Sequence, residues 1–128
     1  MTVRDVANQL VALCRAGKFE EAMNTFYADD IISIEAVGDE QMPAEMRGIE
    51  AVRGKAAWWV GNHEVHRAEI LGPYYNAPNP NQFCIHMSFD VTFKPTGEKK
   101  SMNEVGLYEV VNGKVVKETF YYDMAPAN

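Results

Sequence analysis

The chain has few cysteines, few histidines and no surplus of basic residues, and each shortage removes a class of function. Its two cysteines, Cys14 and Cys84, lie far apart and form no C-x-x-C pair. A disulfide framework and a four-cysteine zinc site are therefore both excluded, and the two read as reduced core thiols of a cytoplasmic protein. Of three histidines, His63 and His66 flank Glu64 in the stretch NHEVH. The helical zinc motif H-E-x-x-H spaces its histidines so that both leave one helix face. Here they are three apart, and along a strand an odd separation sends side chains to opposite faces. No metal site is expected from them. Twelve Lys and Arg stand against 18 Asp and Glu, a net charge of −6, which argues against nucleic-acid binding. No apolar run approaches the roughly 20 residues of a membrane span. Asp5, Asn8 and Gln9 occupy the place where a signal peptide would need apolar residues, so a cytoplasmic location is expected.

What remains is an ordinary globular composition, 47% hydrophobic and 23% charged over 128 residues, without repeats or linkers. One domain of this size buries roughly two-thirds of the surface its unfolded chain exposes. Thr2 followed by Asp5 is a capping box, and Val3, Val6, Ala7, Leu10, Leu13 and Cys14 recur at helical spacing up to Gly17. KFEEAMNTFY continues as a second helix, and Asp29-Asp30 breaks the pattern before a short strand at 31–35. A third helix runs through GIEAVRGKAAWWV with Ile49, Val52, Ala56, Trp59 and Val60 on its apolar stripe. Gly54 in that helix costs about 1 kcal/mol against Ala, which suggests close packing there. The rest is β-rich. Segment 64–71 is a strand, and FCIHMSFDVTF alternates, with Phe83, Ile85, Met87, Phe89, Val91 and Phe93 on one face. Strands near 101–111 and in KVVKETFYYD are joined by Asn112-Gly113, a strong hairpin signal. The order predicts an α+β domain.

This order, with Tyr27-Ala-Asp-Asp30 before a strand, Arg47-Gly-Ile before the third helix, and the closing hairpin NGKVVKETFYYD, resembles the SnoaL-like group of the nuclear transport factor 2-like superfamily. That superfamily includes ketosteroid isomerases, scytalone dehydratases and polyketide cyclases. The resemblance implies a cystatin-like, cone-shaped fold: a curved antiparallel sheet with the three helices of the N-terminal half packed on its concave face. It also implies an apolar pocket, commonly in a homodimer, and chemistry without a cofactor. The same fold hosts enzymes and noncatalytic modules.

In ketosteroid isomerases a proton-shuttling carboxylate follows the A-D-D corner, and the matching residue here is Glu35. A carboxylate at the end of an apolar cavity is desolvated, which suits it to move protons at carbon. Strict alternation gives Glu35 the opposite parity to Ile32 and Ile34. The isomerases' two oxyanion donors, a tyrosine and a protonated aspartate, map onto Leu10 and near Gly106, which makes steroid isomerisation improbable. Substitutes are available: Tyr108 shares parity with Glu104, and Tyr122 with Phe120 and Glu118, so all five are candidates for the concave face along with Phe89. A tyrosine serves a pocket and a plain core equally well, and Glu104 and Glu118 either line the pocket or point outward. His63 is the candidate partner of Glu35 because imidazole titrates in the useful range. Trp59 is assigned to the core, and Trp58 to the pocket or its rim. Met23, Met87 and Met102 are candidates for adaptable walls. The expected ligand is an apolar or aromatic small molecule. The expected activity is isomerisation, dehydration or aldol cyclisation with Glu35 as acid/base, and the rival is a noncatalytic binding or dimeric interaction module.

Overall fold

Helix α1 (Val3–Arg15) begins where Thr2 Oγ1 accepts from Asp5 N at 3.1 Å and Asp5 Oδ2 accepts from Thr2 N at 3.0 Å. Two of the first turn's orphan donors are thereby satisfied. The helix ends at Ala16, and Gly17 follows at φ 73°, the left-handed position a C′ glycine fills. Helix α2 (Phe19–Phe26) starts at once and buries Ala22, Met23 and Phe26 beside Val6, Ala7, Leu10 and Val11 of α1. These elements belong to a computed structural model that describes residues 1–123.

The remaining elements are strands β1 (Tyr27–Ile34) and β2 (Glu45–Arg47), helix α3 (Ile49–Asn62), and strands β3 (His63–Tyr74), β4 (Gln82–Phe93), β5 (Glu98–Val111) and β6 (Lys114–Tyr122). They form one curved, unclosed six-stranded sheet in the order β2-β1-β6-β5-β4-β3, with the three helices over one face. Alternation along β4 holds: Phe83, Ile85, Met87, Phe89 and Val91 are all buried toward the helices. The β5–β6 turn places Asn112 at φ 50° and Gly113 at φ 77°, as a two-residue hairpin requires.

The structure departs from expectation in five places. First, the sheet is mixed, because β1 runs parallel to β6 while every other pair is antiparallel. That pairing joins the two ends of the chain's β structure, and no turn signal announces it. Second, the loop before α3 contains β2, a three-residue strand bound to the edge of β1. Third, β1 starts at Tyr27, and Asp29 and Asp30 lie in a bulge: five steps on β1, from Tyr27 to Ile32, span two on β6, from Val115 to Lys117. The fully buried residues of β1 are Ile31 and Ser33. Glu35 therefore shares parity with the buried set, and Ile32 and Ile34 do not define the core face. Fourth, a Cβ on Gly54 would meet nothing within 4 Å, so no close packing occurs there. Fifth, α3 buries only Val52, and Val60 is 56% exposed. The reason is that this helix roofs a cavity and does not close on a core.

Candidate functional site

The cavity lies between the helices and the inner face of the sheet and has a volume of about 650 Å³. All nine residues singled out from the sequence border it: Glu35, Trp58, His63, Phe89, Glu104, Tyr108, Glu118, Phe120 and Tyr122. So do Met23, Met87 and Met102. The strand register divides its residues between two ends.

One end is aromatic. His63, the first residue of β3, pairs with Phe93 at the end of β4. Its ring stacks on Trp59 at 4.3 Å, and Trp58 meets its edge at 6.1 Å. His63 Nδ1 lies 2.8 Å from the Trp59 carbonyl oxygen. A carbonyl only accepts, so Nδ1 carries a hydrogen. Trp59 is half-buried against the core and also packs on Phe89 at 5.5 Å, while Trp58, 45% exposed, forms the rim. His66 has gone to the outer face, where Nε2 lies 2.7 Å from Thr92 Oγ1. The two histidines of NHEVH thus serve different surfaces.

The other end is polar. Glu118, in the middle of β6, is 3% exposed. Its Oε2 accepts from the Tyr27 hydroxyl in a short hydrogen bond, and its Oε1 accepts from Ser33 Oγ at 2.8 Å. Burial pushes its pKa up against the opposing pull of Lys55, Tyr27 and Ser33. Lys55 of α3 reaches down to donate to Glu35 Oε2 at 2.9 Å and to Ser33 Oγ, with Glu118 Oε1 3.9 Å away. Tyr122 Oη donates to Glu35 Oε1 at 3.4 Å. Glu35 is therefore inside the cavity, but its carboxylate is engaged.

Glu104 is not engaged. It sits on β5 opposite Met87 on one side and Tyr122 on the other, and among the described residues nothing donates a hydrogen bond or an ammonium to it. Burial pushes its pKa up to about 7; Glu35 and Glu118 add to the rise and Lys55 opposes it. Tyr108, two residues beyond Gly106 on the same face, is 3% exposed, and its hydroxyl likewise has no partner among the described residues. Its ring stacks on Phe83 at 5.1 Å and meets Phe120 edge-on at 6.1 Å. A Cβ on Gly106 would lie 2.8 Å from Tyr108 Cε2 and 3.0 Å from its hydroxyl. The phenol fills the space that a side chain at 106 would take. Burial, with Glu118 nearby, raises the Tyr108 pKa well above the ordinary phenol value, so the hydroxyl keeps its hydrogen.

Sequence reasoning missed Lys55, Ser33 and Tyr27. Lys55 had a visible signal, since it falls between Val52, Ala56 and Trp59 at helical spacing, a lysine inside an apolar stripe. Ser33 and Tyr27 had none, because the bulge in β1 hides which face they occupy. Leu10, at the place of the isomerases' tyrosine, is 1% exposed and contributes only apolar wall. Cys14 also borders the cavity, and burial raises its thiol pKa to about 12, which makes it an inert wall residue.

Comparison with known proteins agrees with this architecture. No functionally curated protein matches the chain. Among solved structures, a provisionally assigned SnoaL-like polyketide cyclase from Mesorhizobium loti is 44% identical, with a TM-score of 0.87 over 95% of this chain and 100% of that one. A provisionally assigned isomerase from Bacillus subtilis (12% identity, TM-score 0.78, 96% and 90% covered) shares the fold. So does a nuclear transport factor 2-like protein from Burkholderia thailandensis (15%, 0.78, 96% and 92%). The model of the SnoaL-like domain matches residues 1–122, and the chain belongs to that family.

Proposed function

We propose that the protein binds an apolar or aromatic small molecule in this cavity and moves a proton at one of its carbons without a cofactor. The observation that carries the reading is Glu104, a carboxyl that faces the cavity without a partner among the described residues, with the Tyr108 hydroxyl, likewise without one among them, on the same strand. The role expected at Glu35 passes to Glu104 in this reading, because Glu35 is held by Lys55 and Tyr122. Ionised Glu104 takes a proton from a carbon next to a carbonyl, and the electron pair moves onto the carbonyl oxygen. The Tyr108 hydroxyl donates to that oxygen, and, where a carbon–carbon double bond is conjugated with the enolate, the electron pair returns from oxygen through it and Glu104 delivers the proton to its far carbon. A carboxyl whose pKa lies near the working pH suits both transfers. Glu35 and Lys55 supply a fixed ion pair beside them, and His63, Trp58 and Phe89 hold the apolar body.

The test is deuterium uptake from heavy water into a 1,3-diketone bearing a phenyl group, followed by proton NMR. The wild type is expected to accelerate exchange, and Glu104→Gln to lose about 100-fold or more of that acceleration. Binding without accelerated exchange would instead establish the second reading, a noncatalytic ligand binder. That alternative draws on Leu10 and Gly106, which stand where the isomerases carry their donors.

We also propose a homodimer formed through the outer sheet face. There Leu71, His86, Val105 and Tyr121 pair across four strands in one row, and Leu71, Val105 and Tyr121 are 38%, 39% and 56% exposed. Contiguous exposed apolar residues of this kind mark interaction surfaces.

A further inference from the structure

We infer that the ligand of this cavity carries a protonated amine on its apolar or aromatic body, with the ammonium docked between the Glu104 carboxylate and the Tyr108 hydroxyl. The inference rests on the reading of the cavity as a ligand pocket and narrows it to a chemical class. It starts from charge. At the polar end three carboxyls, Glu35, Glu104 and Glu118, stand against one ammonium, Lys55; the second lysine of the lining, Lys100, lies over Phe93 at the aromatic end, and Asp39 accepts from the backbone N–H groups of Gln41 and Met42. Lys55 is committed to Glu35 and Ser33 and lies 3.9 Å from Glu118. Tyr27 and Ser33 donate to Glu118, and Tyr122 donates to Glu35. Glu104 is the carboxyl left over.

The second observation is independent of the acids. Tyr108, 97% buried by its 3% exposure, borders the cavity with a hydroxyl that has no partner among the described residues. The hydroxyl opens to the cavity, so a polar group of a ligand can reach it there. An ammonium meets both needs, since it donates to the carboxylate and to the phenol oxygen together. A neutral ligand supplies donors without the missing charge, and a carboxylate adds a fourth negative group. The aromatic end, with Phe89, Trp58 and Trp59, accommodates the apolar body.

Docking also changes the protonation of the site. Glu104 has its pKa near 7 because it is buried and faces Glu35 and Glu118 more than it is relieved by Lys55. A second cation beside it favours the charged form, so binding expels the proton and leaves Glu104 ionised and paired with the ligand's ammonium. Among the other groups at this end, Tyr108 and Tyr122 stay protonated through the range concerned, Tyr122 with its pKa raised to about 12.

The test uses three probes of one shape, 3-phenylpropylamine, 3-phenylpropanol and 3-phenylpropionate, titrated calorimetrically into wild type and Glu104→Gln. The amine is expected to bind the wild type at least about 10-fold more tightly than the alcohol, and the carboxylate most weakly. Amine affinity should rise from about pH 6 to about pH 8, with proton release visible as a dependence of the heat on the buffer, while alcohol affinity stays flat. Glu104→Gln should lose the preference for the amine over the alcohol. Equal or tighter binding of the alcohol or the carboxylate, or an amine preference that persists in Glu104→Gln, overturns the inference and leaves the pocket reading standing. Failure of all three probes to bind overturns both. The comparison among probes on the wild type needs no variant to fold.

Discussion

Glu104 makes the most direct prediction at the level of single residues. Its folded-state pKa is raised from 4.5 to about 7, so the folded state holds a proton that the unfolded state has released. Stability is fully present below about pH 4.5 and declines as pH rises through about 7, by on the order of 3 kcal/mol. Urea denaturation of Glu104→Gln should show a variant as stable as wild type near pH 4 and more stable near pH 8 by up to that amount. Lys55 predicts the opposite sign. Its side chain is 13% exposed between Glu35 and Glu118, so Lys55→Met leaves both acids without their cation and should cost about 3 kcal/mol at neutral pH, with part recovered by adding Glu118→Gln. At Gly106 the expectation is steric. The Tyr108 ring is held by Phe83 and Phe120 and cannot give way freely, so Gly106→Ala should destabilise by about 1–3 kcal/mol in thermal or urea unfolding. Parity groups Glu104 with Tyr108 on β5 and Glu118 with Phe120 and Tyr122 on β6 but leaves open which way each set points; in the structure both sets, and Phe89, border the cavity. Glu35 was placed by family resemblance against a parity argument that the bulge in β1 had made invalid. What alternation could not show was partnership. Glu35 and Glu104 look alike in sequence, and what distinguishes them is Lys55, reaching from a helix 20 residues beyond Glu35, together with the Tyr122 hydroxyl.

At the scale of elements, local signals worked where the structure is local. The capping box at Thr2 and Asp5, the glycine stop at Gly17 and the Asn112-Gly113 hairpin are each decided by a few neighbouring residues. Gly113 at φ 77° gives the matching prediction: Gly113→Ala should cost about 1 kcal/mol of stability, because an L side chain is strained in the left-handed region. Thr2→Ala should cost about the same through loss of the cap. The third helix shows where such signals mislead. Its apolar stripe suggests a core face, yet Val60 on that stripe is exposed because the surface opposite the helix is an open chamber. Periodicity reports that a face is apolar and cannot report whether protein or ligand covers it.

At the scale of the whole molecule, the sheet's two faces have different tasks. The inner face and the helices enclose the cavity, and the outer face carries the row from Leu71 to Tyr121. If that row joins two copies, light scattering after size exclusion should give twice the chain mass of 14.4 kDa. Val105→Asp should then shift it toward the monomer, because an unpaired carboxylate buried in an apolar interface is strongly disfavoured. A wild type of single chain mass would remove the dimer from the account.

The sequence by itself determined the class of fold, the order of all but one element and the apolar faces that meet inside. These follow from helix and strand periods and from turn chemistry, which act over a few residues. The tertiary structure alone decided that β1 lies parallel to β6, which brings Ser33 and Glu35 beside Glu118. It alone brought Lys55 down onto that group and left Glu104 and Tyr108 without partners among the described residues. The physical reason is that charge balance and hydrogen-bond satisfaction are properties of groups that meet in space, and here the groups that meet come from β1, α3, β5 and β6.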